Sequence, residues 1–413
     1  VYFENGRSLH YDIGSNIHIM EVIKLKTYLS LLFAVMFLVM SGFGIIIPVL
    51  PFFAENVGAT PTQLGLLMAV YSFMQLLFAP IWGRMSDRYG RKPILLVGII
   101  GLSLSFFLFA IAKTLSMLFV ARIVGGMLSS ATMPTAMAYV ADVTTPEERG
   151  KGMGAIGAAI GLGFIFGPAI GGIFSKTNLH IPFFIAGALS LITSLFVLFF
   201  LKESLSKEMR MSIDKKRDPV WKTLKGPIVF LYILQLFISF SLSGLEATFA
   251  YYAAKQAGLH SAELGYIFMI MGLASAFIQG GLIGKLVRTF GEGKVIQGGI
   301  VVSAIGFALI LLVKDFFTAT LYLSIFGIGN GVIRPCLSSL ITKHATSGQG
   351  NATGLLSSFD SLGRIVGPPI AGWLFTKMIQ LPYLSGIALS AVAFVLYYVF
   401  AGQVKRSRHQ AIL

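Results

Sequence analysis

Five ionisable residues sit inside otherwise apolar stretches of the chain: Arg122, Glu246, Arg334, Asp360 and Arg364. A charge in such a run is costly unless it is paired, faces a cavity or handles an ion. Asp360 and Arg364 are four residues apart, which places them on one helix face. That spacing allows an ion pair, and the residues alone leave open whether the pair is structural or titrates. Glu246 lies in FSLSGLEATFAYY with no basic residue near it in sequence. A desolvated carboxyl without a counter-charge is a candidate to bind and release a proton. The alternative is a solvated carboxyl near the end of its helix. The 6 histidines fall outside the apolar stretches, so no histidine relay is expected within them. No clustered nucleophile, base or metal-ligand set is visible, and no GxxxxGK(S/T) phosphate loop occurs. The pattern predicts neither an enzyme nor a metal or organic cofactor, and leaves an ion gradient as the energy source.

The elements that must hold these charges follow from composition. Charged residues make up 12% of the 413-residue chain, against about 25% in soluble domains, and mean hydropathy is +0.81. This is an all-α membrane protein. A bilayer core takes about 20 apolar residues per helix. Twelve such segments are expected: 27–50, 61–82, 93–112, 116–141, 150–174, 181–201, 227–254, 262–284, 295–313, 317–341, 350–375 and 381–402. The long basic stretch KESLSKEMRMSIDKKRDPVWKTLKG at 202–226 divides them into bundles at 27–201 and 227–402, with a leading segment 1–26 and a tail 403–413. Residues 1–19 lack a signal-peptide core, and Met20 is a candidate start, so 1–19 are not assumed to be native. The single cysteine, Cys336, says nothing about redox compartment.

The net charge of +15 is read by loop rather than as a sign of nucleic acid. With both termini on one side, that side collects 24 Lys and Arg, while the opposite loops hold 5: Lys113, Lys176, Lys255, Lys314 and Lys377. Cytoplasmic loops are the basic ones, so both termini are expected in the cytoplasm.

The bundles repeat each other. GPAIGG at 167–172 returns as GPPIAG at 367–372, SGFG at 41–44 aligns with SLSG at 241–244, and GRMSDRYGRK at 83–92 aligns with the eroded GKLVRTFGEGK at 284–294. Duplicated halves with a shared site near the midplane are a common transporter plan. In GFIFGPAIGG, Gly163, Gly167 and Gly171 recur every four residues, Gly172 follows, and Pro168 bends the helix. Such a face lets helix backbones approach closely. Packing alone or a conformational role would each account for it. Gly167→Leu is expected to abolish transport without loss of membrane expression.

These residues resemble a known family. GRMSDRYGRKPIL at 83–95 looks like the signature loop of the major facilitator superfamily, and LFVARIVGG at 118–126 resembles its arginine-bearing fourth helix through Arg122. GFIFGPAIGG resembles the mark of the drug–proton antiporter branch, and GFGIIIPVLP at 42–51 resembles the first helix of its twelve-helix members. The likeness covers about 27–402 and is nearest to bacterial multidrug exporters of the NorA and Bmr type.

The resemblance implies twelve transmembrane helices in two pseudo-symmetric six-helix bundles, alternating access and a cell-membrane location. It assigns proton coupling to Glu246, Asp360 and Arg122. It assigns gating to the loop residues Asp87, Arg88 and Arg91 and to Gly167, Pro168, Gly171 and Gly172. The expected cavity lining is Phe43, Gln75, Gln235, Phe240, Glu246, Phe249, Tyr251, Tyr252, Gln279, Asn330, Arg334 and Asp360. An aromatic cavity holding a carboxylate suits lipophilic cations. Relatives carry an Asp three residues before an Arg-Pro pair, where this chain has Gly331 in GNGVIRP. Asp360 taking over that role, or coupling on one carboxylate, are the two readings. A monomer is expected, with substrate, protons and lipid as its partners and no nucleic acid. The competing functions are a dedicated exporter of a metabolite, sugar or lipid precursor, and a non-transporting sensor.

Overall fold

In the computed structural model, residues 13–145, 148–205, 226–344 and 349–410 are described. They form α1 Ile13–Ile46, α2 Leu50–Asn56, α3 Pro61–Tyr89, α4 Arg91–Ala110, α5 Leu115–Ser129, α6 Thr132–Val143, α7 Arg149–Ser175 and α8 Ile181–Phe200. The second set is α9 Ile228–Ala257, α10 Ser261–Phe277, α11 Ile283–Ile310, α12 Phe316–His344, α13 Gln349–Lys377 and α14 Leu381–Gln410. Residues 206–225 of the basic linker lie outside the described residues, as do 1–12 and 411–413.

Among the described residues, ten helical runs are long and apolar enough to cross a membrane. One of them, Ser261–Ile310, is two rods in practice. Gly291 breaks it with φ 78°, a backbone state that glycine adopts without steric cost. α13 falls below that hydropathy because Ser357, Ser358, Asp360, Ser361 and Arg364 interrupt it, yet it packs along both α3 and α9. With α5 and α6 as two parts of one rod, twelve rods result. Two boundaries differ from expectation. The first helix starts at Ile13 rather than 27 and ends at Ile46, since Pro48 turns the chain into short α2. The fourth rod is interrupted at Ser130–Ala131.

Helix ends carry local signals. Thr60 and Gln63 form a capping box ahead of Pro61. Gly258 closes α9 in the left-handed region. At the start of α12 the Thr318 backbone N–H donates to Asp315 Oδ1 at 2.8 Å, which holds that carboxyl below the usual carboxylate range.

Within the first half, α1 packs on α7 and α4 packs on α5 and α8. Within the second, α9 packs on α13, and α11 packs on α12 and α14. The halves meet chiefly through two helix pairs, α3 with α13 and α7 with α10, and α9 adds smaller contacts to α2 and α3. These pairs touch at one end only. There the Tyr251 hydroxyl donates to Pro51 O at 3.0 Å and the hydroxyls of Ser175 and Ser261 lie 2.8 Å apart. A Cβ built on Gly172 would stand 3.0 Å from Gly265 Cα, and one on Gly65 would strike the Pro368 carbonyl. Toward the other end, Gly83 of α3, Gly150, Gly154, Gly157 and Gly161 of α7, Gly354 of α13, and Gly280, Gly281 and Gly284 past the end of α10 have open space where a side chain would go. One apolar core accordingly runs across both halves at the closed end, while the far end of the second half has its own. Lys113, Lys176, Lys255, Lys314 and Lys377 belong to connections or helix ends at the closed end; the signature loop and Lys285, Arg288, Lys294 and Lys343 belong to the open one.

Candidate functional site

Three helices of the second half bring four of the five buried-region charges together. Asp360 on α13 is the centre. Its Oδ1 accepts from Ser239 Oγ at 2.5 Å and Gln235 Nε2 at 2.9 Å, both on α9. The same oxygen lies 3.1 Å from Arg334 on α12. Its Oδ2 lies 3.3 Å from Arg364 Nε, one turn along α13. Arg364 also reaches back to α9, with its NH1 3.8 Å from Glu246 Oε2. Glu246, which has no basic neighbour in sequence, therefore has one in space, contributed from 118 positions along the chain.

The two carboxyls are held very differently. Asp360 accepts a charge-assisted bond from Arg364 and two from neutral donors and is ion-paired with Arg334, the kind of network that keeps a carboxyl fixed in a low-dielectric site. Glu246 has one contact, near the outer limit of an ion pair. It is the member whose partner is most readily exchanged. Arg334 is half-exposed, with 51% of its side chain open, and is the cluster's most accessible cation. Gly331, one turn earlier on α12, faces the side chains of Ser275 and Gln279, which would have to shift for a Cβ to fit there. A carboxyl in this region of the second half comes from α13 instead.

Arg122 is isolated from this cluster. It is buried on α5, with its guanidinium 5.2 Å from the ring centres of both Tyr71 and Phe109, and no carboxylate among the described residues pairs with it.

The remaining cavity candidates divide. Gln235 belongs to the Asp360 network. Arg334, Phe240 and Asn330 are partly open, and Asn330 lines a small crevice with Ser241, Ser303 and Phe237. Phe43 is partly buried, edge-on to Tyr71, and Gln75 donates to the Tyr71 hydroxyl. Gln279 donates to Ser275. Phe249 is fully buried against Phe268 and has no surface to offer a ligand in this conformation. Tyr251 and Tyr252 are buried too. Tyr251 is a strut between the halves, and Tyr252 donates to Leu311 O.

The glycine motif also divides. Gly163, Gly167 and Gly171 all face α1, and a Cβ on Gly167 would stand 2.6 Å from Ser41 O. They pack the first half internally. Gly172 and the Pro168 carbonyl face Gly265 of the second half. Leu at 167 would therefore disrupt the fold of one half, and the expected intact membrane expression does not follow.

At the open end, Arg91 of the signature loop is buried, with Nε 2.8 Å from Asp142 and NH1 2.5 Å from Asp87 and 2.8 Å from Ser86 Oγ. Arg88 lies over the Tyr89 ring. Glu203, just past α8, accepts the backbone N–H groups of Arg91 and Lys92 at 2.8 and 3.2 Å, at the positive end of the α4 dipole. Asp142 and Glu203 were absent from the sequence-based candidates. Both are single acids beside basic loops, which was their one legible sign.

The model for the Major Facilitator Superfamily matches residues 32–351 and 281–411. Multidrug resistance protein 2 of Bacillus subtilis is 35% identical over 87% of this chain and 91% of its own length. The quinolone resistance protein NorA of Staphylococcus aureus (strain COL) is 32% identical, over 87% and 93%. Among solved structures, the human organic anion transporter MFSD10 superposes with a TM-score of 0.69 at 23% identity, covering 90% of this chain and 99% of that one. The nucleoside transporter NupG gives 0.72 at 15%, covering 92% and 99%. At these identities the structures speak for the fold.

Proposed function

This chain belongs to the major facilitator superfamily, and from that premise we propose that it is a proton-coupled exporter of lipophilic, often cationic, drugs working by alternating access. The similarity to named multidrug and quinolone resistance proteins over nearly nine-tenths of the chain supports the substrate class. One structural observation carries the coupling: Glu246 and Asp360 share Arg364, but only Glu246 is loosely held. A proton arriving at Glu246 releases Arg364 to Asp360. A cationic substrate arriving there displaces the proton. Arg122 acts on this exchange through its field rather than through contact.

The excess of Lys and Arg at the open end supports reading that end, with both termini, as cytoplasmic, and the protein as an inward-open carrier of a bacterial cytoplasmic membrane. A potential of 100 mV contributes about 2.3 kcal/mol per charge moved, and one pH unit contributes about 1.4 kcal/mol. One proton exchanged for a neutral drug uses both; exchanged for a monovalent cation it uses only the pH gradient. The carrier operates as a monomer, with no cofactor beyond the proton gradient.

The test is dye efflux from liposomes under an imposed pH gradient, wild type against Glu246→Gln. Gradient-driven efflux that vanishes in the variant is expected. Unchanged efflux would move the proton site elsewhere. A wild type that moves no member of an unrelated dye panel would favour a dedicated metabolite or lipid-precursor exporter.

A further inference from the structure

We infer that Arg122 is the floor of an anion site, occupied by a small monovalent anion: a halide from solution or a carboxylate carried by a substrate. Arg122 as a whole is only 8% exposed. Its Nε is buried without any hydrogen-bond partner, and no carboxylate among the described residues pairs with it. Arginine does not escape this by losing its proton, and an uncompensated charge at membrane depth is strongly unfavourable. The flanking rings of Tyr71 and Phe109 stabilise the cation through their faces but accept none of its N–H groups in the plane. The unmet demand is thus for an acceptor at the guanidinium edge.

The surroundings fit a small anion better than a fixed carboxylate. Gln75 Nε2 donates to the Tyr71 hydroxyl at 3.1 Å, and that hydroxyl shares a hydrogen bond with Ser129 Oγ at 2.7 Å. The Gln75 amide keeps a second hydrogen to donate. The carboxylates of the second-half cluster are engaged with Arg334 and Arg364, and those at the open end of the first half with Arg91. An unpartnered guanidinium edge binds either a spherical halide or a planar carboxylate.

The experiment uses the purified full chain in detergent. Its melting temperature is followed while chloride replaces gluconate at constant ionic strength, for wild type and Arg122→Gln. A saturable rise with chloride in wild type, lost in the variant, is the expected result. No difference between the anions in wild type, or an equal rise in the variant, overturns the site. Should Arg122→Gln fail to fold, crystals soaked in bromide decide the matter: an anomalous peak beside Arg122 is expected, and bromide elsewhere only refutes the site.

A second arm identifies the source and rests on the exporter reading above. Binding of a rhodamine free acid is compared with that of its methyl ester. Chloride competing with the acid alone assigns the site to substrate carboxylates. Chloride competing with neither leaves it to inorganic anions. Neither stability experiment depends on Glu246, so loss of proton coupling there would leave them unchanged.

Discussion

Arg91 and Glu292 occupy the same place in the two halves and carry opposite charges. They are 201 residues apart, and so are their partners: Arg91 pairs with Asp142, and Glu292 with Lys343. The duplicated ion pair has been kept and its polarity inverted. The two copies differ in depth. Arg91 is buried and also bonds Asp87 and Ser86, whereas Lys343 is mostly exposed.

Depth sets the size of the response to neutralisation. Breaking a buried pair costs about 3–5 kcal/mol, while an exposed pair is worth about 0.2–1 kcal/mol. Arg91→Gln should lower thermal stability sharply, since it strands Asp142 and Asp87. Lys343→Gln should shift it little. Comparing melting curves of the two variants checks this, and equal shifts would contradict it.

Glu246→Gln should abolish proton release on substrate binding while leaving binding of neutral dyes within about threefold, because a neutral amide keeps the shape of the site. Asp360→Asn should instead weaken the whole cluster, since both Arg364 and Arg334 lose their shared acceptor. Pairing proton-release measurements in weak buffer with dye binding separates the two. Proton release retained in Glu246→Gln would reassign the coupling residue.

Ser175 and Ser261 face each other across the closed end. Replaced together by cysteine, they should form a disulfide on oxidation, since the side chains already meet, with their hydroxyls 2.8 Å apart. Transport should stop on oxidation and return on reduction. Full transport by the cross-linked protein would mean that this end does not open.

Gly167→Leu and Gly157→Leu should part company. The first forces a side chain against Ser41 and Gly44 of α1, and overpacking of this kind costs about 1–3 kcal/mol or more, so the yield of folded protein falls. The second meets open space here, so the protein folds normally but transports poorly. Size-exclusion profiles and efflux on the same samples test both.

The sequence was most legible where chemistry and spacing coincide locally. The signature loop, the glycine motif with its echo 200 residues on, and the Asp360–Arg364 turn could all be read from neighbouring letters. What needed the structure was long-range. Arg364 meets Glu246, and Glu203 caps α4, across separations of 118 and 112 residues. The cavity residues were hardest, because a helix in lipid is apolar toward lipid, toward its neighbours and often toward the cavity as well. Phe240 and Phe249 look alike as letters. One keeps an open face and the other is sealed against Phe268.

The unfilled glycines of α7, from Gly150 to Gly161, and those at Gly280, Gly281 and Gly284 give this carrier a vulnerable seam. At the closed end the glycine backbones of α7 and α10 already stand within a methyl group of each other at Gly172 and Gly265, which leaves no room for a passenger. A compound lodged between those two bare faces would need no affinity for the central charges and no likeness to any substrate. It would act as a doorstop, and changes in the residues that recognise drugs would not dislodge it.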